Sequence, residues 1–485
     1  METEGALSAA QVPSPTQPRN EFSRQTTNTT NEEYVMTDFR LSIEEVGVTE
    51  QRREPLRQEG IDHPEGAQRN GTGPGQVQSL AERFDPFHDP YLADPYPFFA
   101  QARAATPVFY SPGLDYWVVT RYHDIRQIFQ NPKLFSAANT LAPLQPICPA
   151  AGRLLAEGGF RPIPTLTNTD PPGHIRLRRL ANVAFTPRRV AAMEPFVREL
   201  TGHFLTERLA SGRADLVRDL AWDLPALVIF RVLGIPDEDV PRVKAGAESR
   251  LLMMWGRPSE GEQVRLAQEM AAFWRYAEAL VARRAERPQD DFTSDLLQAR
   301  DGDLPALSHH EVTQIVYSLL FAGHETTTGL ISNALRQLLT HRHAWEEICR
   351  DASLIPNAVE EVLRFDSSVI TWRRQATQAV EIGGVPVPAG ANLLLLLGSA
   401  NRDPAVFEGP DRFDIHRPNA REHLSFGSGA HFCLGAPLAR LEARVVLEEL
   451  SARLPGLRLV PGQTPRFRPN TTFRGPLALL AEWDT

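Results

Sequence analysis

Cysteine is scarce. The 485-residue chain has three, Cys148, Cys349 and Cys433, far apart, so at least one stays unpaired. No Cys-x-x-Cys pair occurs, which argues against a disulfide scaffold and fits a reducing cytoplasm. Positive charge is not in excess either. The chain carries 51 Lys and Arg against 60 Asp and Glu, a formal net charge of -9. The electrostatic footprint of a nucleic-acid binder is therefore missing. Long apolar runs are absent: ANLLLLLGSA at 391–400 falls far short of the ~18 residues a membrane helix needs and reads as a buried strand. The start, METEGALSAAQVPSPTQPRN, lacks a basic end followed by an apolar core. An unanchored cytoplasmic protein is expected. No internal repeat is visible, and no Pro/Ser-rich linker follows residue 80. One domain is expected over 81–485, although length alone would suggest about three.

Residues 1–80 are rich in Gln, Asn, Thr, Pro, Gly and Glu and poor in aromatics. Such a composition cannot bury enough apolar surface to offset ordering entropy. A disordered extension is expected, with a short helix around Asn31 to Val46. From AERFDPFHDPYLADPYPFF onward, apolar residues recur at helical spacing, as in RRVAAMEPFVRELTGHFLTERLA. Two strand patterns interrupt them. PVFYSPGLDYWVVT predicts a hairpin turning at Pro112-Gly113, and VEIGGVPVPAGANLLLLL another turning at Gly383-Gly384. The fold class is mainly α with small β sheets at one side.

The most informative stretch is FGSGAHFCLG, 426–435. Gly427 and Gly429 begin a dinucleotide fingerprint, but Phe432 holds its third glycine position. A zinc site would need further ligand pairs, and none flanks His431 and Cys433. Gly427, Gly429 and Gly435 permit turns with positive φ and close approach of a flat ligand. An amphipathic helix follows, with Pro437 in its first turn. Cys433 thus sits at a helix start, where free N–H groups favour a thiolate. A lone thiolate in a glycine-lined loop suits an axial ligand to haem iron.

This stretch resembles the haem loop of the cytochrome P-450 family, whose pattern is FGxGxHxCxG. The resemblance implies the cytochrome P-450 fold, with haem b (iron protoporphyrin IX) as cofactor and a long central helix. It implies Cys433 as the iron ligand, His431 on a haem propionate, Phe426 beside the sulfur and Gly435 against the cofactor. Three other stretches agree in order and spacing. LLFAGHETTTGL, 319–330, lies in a helical pattern that a Ser308/Glu311 capping box opens and that runs to about Arg342, roughly 50 Å. Gly and three Thr weaken a helix at its centre. Ala322-Gly323-His324-Glu325-Thr326 matches the family's [AG]GxxT preceded by an acid, which implies a proton-delivery kink built on Glu325 and Thr326. NAVEEVLRF, 357–365, holds Glu361 and Arg364 on one helix face; the family's buried salt bridge would join them to Arg412, with Arg417 as the nearby alternative. TDPPGHIRLRRLANVAFTPRR, 169–189, places His174 and Arg178 at i and i+4, matching the family's propionate clamp. Arg374 is the expected further clamp residue, with Arg373 as its alternative.

In detail, GRPSEGEQVRLAQEMAAFWRYAEAL and WEEICRDASLIPNAVEEVLR resemble the haem domains of self-sufficient bacterial enzymes. The residues after Cys433 carry no flavin or iron–sulfur segment. Electrons are therefore expected from a separate ferredoxin or flavodoxin with its reductase. The implied activity is insertion of one oxygen atom of O₂ into a small apolar organic substrate by a monomer that binds neither nucleic acid nor membrane. The implied pocket draws on the loop from Ser136 to Ile163, the segment Leu251 to Trp255, and Leu320, Ala322, Val369, Ile370, Thr472 and Phe473. Two other readings remain: a haem-thiolate peroxygenase or rearrangement enzyme, and a non-enzymatic haem protein. The intact Glu325–Thr326 pair argues against both.

Overall fold

The structure is a computed structural model that describes residues 79–484 apart from 241–242 and 244–248. The expected disordered extension and its helix near Asn31 to Val46 lie outside the described residues. The first described helix, Leu80–Arg83, begins just before the expected boundary at 81. Ser79 caps it by accepting from the Glu82 N–H, and the Glu82 carboxylate accepts from the Ser79 N–H.

Ten short strands form three sheets among the described residues. β1 (Val108–Ser111) and β2 (Tyr116–Val119) make the first expected hairpin, with Ser111 opposite Tyr116. β3 is Phe135–Ser136, β4 Arg213–Asp215 and β5 Trp372–Ala376. β6 (Val380–Ile382) and β7 (Val385–Val387) form a two-stranded hairpin. Its turn uses Gly383 and Gly384 at φ 57° and 82°, a pair of positive angles that glycine adopts without strain. The leucine run does not extend that hairpin. It forms β8 (Asn392–Leu395), which pairs parallel with β2 and antiparallel with β5. Leu393, Leu394 and Leu395 are all buried, so both faces of β8 are covered and an interior strand position satisfies it. The resulting sheet runs β1-β2-β8-β5-β3. β9 (Arg458–Leu459) and β10 (Leu480–Glu482) complete a small sheet with β4.

Seven helices position the site: α1 (Gly173–Ala184), α2 (Ser249–Trp255), α3 (Glu260–Glu286), α4 (His309–Ala322), α5 (Glu325–Thr340), α6 (Ile355–Phe365) and α7 (Ala436–Arg453). All but α2 contribute to the largest apolar core, where Trp274 of α3 is fully buried with Tyr317, Leu335, Val362 and Val446. Burying each such side chain contributes about 1.5–3 kcal/mol. The capping box at Ser308 and Glu311 opens α4 as expected. The expected single helix to Arg342 is interrupted: α4 stops at Ala322, α5 resumes at Glu325, and Arg342 begins a further helix, Arg342–Arg350. The break has two visible causes. A Cβ on Gly323 would lie 2.6 Å from the Ile229 side chain, so only glycine lets the neighbouring helix approach. His324 is fully buried, and its Nε2 lies 2.8 Å from the Trp222 carbonyl, with the two rings edge to face. Among the described residues, no helix is long and apolar enough to cross a membrane.

Candidate functional site

The 426–435 loop is pinned from behind. The Ser425 hydroxyl donates to the Leu363 carbonyl at 2.6 Å and accepts from Asn401 Nδ2 at 2.8 Å; Asn401 Oδ1 takes the Leu424 N–H at 2.7 Å. The Cys433 N–H closes the loop on the Phe426 carbonyl at 3.0 Å. Gly429 is required, because its φ is 69° and a Cβ there would meet the Phe129 carbonyl oxygen at 2.7 Å. Gly435 is the N-cap of α7, with Pro437 in the first turn.

Burial is the largest influence on the Cys433 thiol and pushes its pKa up; the N–H groups of Gly435 and Ala436 and the charges of Arg178 and Arg440 oppose it. The donors expected at the helix start are in place, but burial outweighs them in the chain alone. Metal coordination deprotonates a thiol outright, so a bound iron would reverse that balance.

Cys433 shares one cavity with His431, Arg178, Arg374, Phe426 and Gly435. His174 lies beside it, its ring 3.9 Å from that of His431. Among the described residues neither ring nitrogen of His174 has a hydrogen-bond partner, nor does His431 Nε2, although all three atoms are buried. His431 Nδ1 lies 3.1 Å from the Leu166 carbonyl. Burial, then the nearby Arg374 and His174, pushes His431 down to about 3, and burial with Arg178 lowers His174. Burial also lowers Arg374 to about 10. Arg374 donates to the Arg373 carbonyl at 2.8 Å, and among the described residues neither it nor Arg178 has a carboxylate partner within 4.0 Å. Arg373, one residue along β5, points the other way and donates to the carbonyls of Ala142 at 2.6 Å and Met254 at 3.2 Å. The alternation of a strand separates the two arginines.

Thr326 and Ala322 line the cavity at the α4–α5 break. The Thr326 hydroxyl donates to the Ala322 carbonyl at 2.7 Å. Glu325 is buried, does not reach the wall, and pairs with Arg468 at 3.7 Å. That partner was not foreseen, since Arg468 lies in a segment without a distinctive pattern.

Of the expected pocket residues, Ala322 and Val369 line the cavity. Leu320 does not: helical spacing gives the wall to Ile315, Ser318, Leu319 and Ala322 and turns Leu320 into the main core, fully buried. Ile370 turns toward Gly398, and Thr472 is fully buried 3.1 Å from the Thr371 hydroxyl. Phe473 sits behind the wall, edge-on to Trp255 at 5.0 Å and to Phe321 at 5.6 Å. Trp255, from the expected 251–255 segment, and Leu141, from the expected 136–163 loop, both line it.

Glu361 and Arg364 form a two-point ion pair, at 2.6 and 2.8 Å, with both side chains fully buried. The third member is Arg417, whose Nε lies 3.2 Å from Glu361 Oε2. Arg412 is corrected: its side chain is 73 % exposed and pairs with Asp414 at 2.8 Å. Only its carbonyl joins the cluster, accepting from Arg364 at 3.2 Å and Arg417 at 3.0 Å. Arg417→Ala is therefore expected to cost about 3 kcal/mol, because it uncovers a buried charge. Arg412→Ala should stay within about 0.5 kcal/mol, as an exposed pair contributes little. Urea midpoints of the two variants check this; equal losses would contradict it. Beside this cluster, burial opposes the ionisation of Glu360, but His423 and Arg440 bring it down to about 2. Arg440 donates to both its oxygens at 2.7 and 2.9 Å and stacks over Phe426, tying α6 to the loop. The first glutamate of VEEVLR, Glu360, was its only trace in the sequence.

A lone sulfur at one point of the cavity and a cluster of cationic or unsatisfied donors at another fit a flat metal-bearing group with anionic edges. The site is that of a haem-thiolate protein. The family model described as "Cytochrome P450" matches residues 261–454. Cytochrome P450 107B1 of Saccharopolyspora erythraea is 38 % identical over 75 % of this chain and 88 % of its own. The solved structure of cytochrome P450 CREJ in complex with (4-ethylphenyl) dihydrogen phosphate has a TM-score of 0.80 and 41 % identity. The match covers 83 % of this chain and all of that one. An intact type IV self-sufficient cytochrome P450 monooxygenase gives a TM-score of 0.81 and 41 % identity, covering 84 % of this chain and 54 % of its own. The chain belongs to the cytochrome P450 family. Its cofactor is haem b, and it is a haem-thiolate monooxygenase that uses O₂, an organic substrate and electrons from a redox partner.

Proposed function

We propose that this chain is a monomeric cytoplasmic haem domain, residues 81–485, that oxygenates a substrate with a largely apolar body, using electrons from a ferredoxin or flavodoxin and its reductase. The observation that carries this is the Thr326 hydroxyl facing the same cavity as Cys433 across a broken helix. Cys433 would hold the iron. His174, Arg178, Arg374 and His431 would hold the propionates, each filling a hydrogen-bonding capacity now unmet. Phe426 and Gly435 would shape the space beside the sulfur. When bound, the haem supplies activation of O₂, which the thiolate ligand favours. Thr326 would hold a proton at its hydroxyl for delivery into the cavity, and Glu325, released from Arg468, would resupply it. Trp255, Phe321, Val369 and Trp372 would exclude water and orient an apolar or aromatic body.

The 485 residues hold three cysteines, too few for both the iron ligand and a four-cysteine iron–sulfur cluster, and turnover assays test whether the electrons come from a separate donor. Purified holoprotein with NADPH alone should turn over at background, and addition of a ferredoxin with its reductase should start product formation. Equal turnover without the added proteins would refute the separate donor. Full turnover with hydrogen peroxide and no NADPH would favour a peroxygenase.

A further inference from the structure

Arg250 has no place in the scheme above. It lies on α2, is 7 % exposed, and contributes to the cavity wall. Among the described residues it has no carboxylate within 4.0 Å and no hydrogen-bond partner. Burial lowers its pKa, opposed by the nearby Tyr317 phenol, and no carboxylate among the described residues contributes. Its guanidinium is held instead over two rings of α4, 4.9 Å from the centroid of Tyr317 and 5.8 Å from that of Phe321. Ring faces attract the cation but leave the in-plane N–H donors without acceptors. Ser318, next to Tyr317, also lines the wall; its oxygen lies 3.2 Å from Gln314 Nε2, which leaves its own proton to give. The neighbouring wall is apolar, formed by Leu141, Trp255, Ile315 and Leu319.

A buried cation without a counter-ion is costly, and a pocket that keeps one is built for an anion. Arg178 and Arg374 are the cations assigned to the propionates, so Arg250 is left for the substrate. We propose that the substrate carries an oxyanion, a carboxylate or a phosphate monoester, which Arg250 and the Ser318 hydroxyl bind while the apolar body extends along the aromatic wall. The inference rests on reading this cavity as the place of oxidation. It narrows the substrate from apolar to amphipathic and anionic.

The test uses haem-loaded full-length protein and three probes of one shape: 4-ethylphenyl phosphate, 4-ethylbenzoate and neutral 4-ethylphenol. Affinity is read by calorimetry. At least one anion should bind about 10–100-fold more tightly than the phenol, the range for a charge-assisted hydrogen bond. Whichever anion leads identifies the headgroup. Arg250→Met should bring that anion down to the level of the phenol, and Arg250→Lys should keep part of the preference. Equal affinity of the wild type for all three probes would overturn the proposal, as would a preference that survives in Arg250→Met. If Arg250→Met does not fold, the wild-type comparison and Ser318→Ala, expected to lose part of the preference, decide the matter. Charge-dependent binding without NADPH-driven product would leave the anion site standing and remove the oxidation assigned to the cavity.

Discussion

Cys433→Ala is expected to abolish the red-shifted absorption band of the reduced carbon monoxide complex, because that band requires a thiolate ligand to the haem, which Cys433 would supply. The loss should be complete. No other cysteine can substitute. Cys148 lies in a separate apolar cluster with its N–H bonded to Gln263, and Cys349 sits on the helix Arg342–Arg350. Neither reaches the cavity wall. Alanine substitutions at those two positions should leave the band in place. The Cys433→Ala chain should still fold, since the loop is held by Ser425, Asn401 and Leu363 and not by the thiol. A retained band in reduced Cys433→Ala would make the ligand assignment wrong.

Thr326→Ala should separate consumption of reductant from formation of product. The hydroxyl is the polar side-chain group that the α4–α5 break presents to the cavity next to Ala322 and Gly323. Losing a positioned proton donor typically costs ~10²–10⁴-fold in the step it serves. Electron transfer and O₂ binding do not use the hydroxyl. NADPH and O₂ consumption should therefore stay near wild type, while product falls and hydrogen peroxide rises to match. Glu325→Gln should act differently and slow NADPH consumption itself, because the supply of protons fails upstream of the threonine. Measuring NADPH, O₂, peroxide and product together separates the two. Normal product per NADPH in Thr326→Ala would reduce that residue to a helix position.

The features legible in the sequence were those fixed by local backbone chemistry. A capping box opens α4, and paired glycines turn β6 into β7. The glycine pattern around Cys433 could be read because Gly427 and Gly429 take positive φ, 71° and 69°, a local demand that glycine meets. What could not be read depends on which way a side chain faces once distant segments meet. Arg412 and Arg417 are equivalent in a string, and only the fold exposes one and buries the other against Glu361. Leu320 and Ala322 are two residues apart, yet helix rotation gives the core one and the cavity the other. Arg250 carried no signal at all. Its meaning lies in having no carboxylate partner among the described residues, which only packing reveals.

The central claim, that this cavity inserts an oxygen atom from O₂, is tested most directly by isotope. Holoprotein should be supplied with substrate, NADPH, a ferredoxin with its reductase, and ¹⁸O₂ in ordinary water, and the product weighed. The account predicts one ¹⁸O atom in each product molecule and no label when NADPH is omitted. Product that takes its oxygen from water, or that forms without O₂, would contradict it.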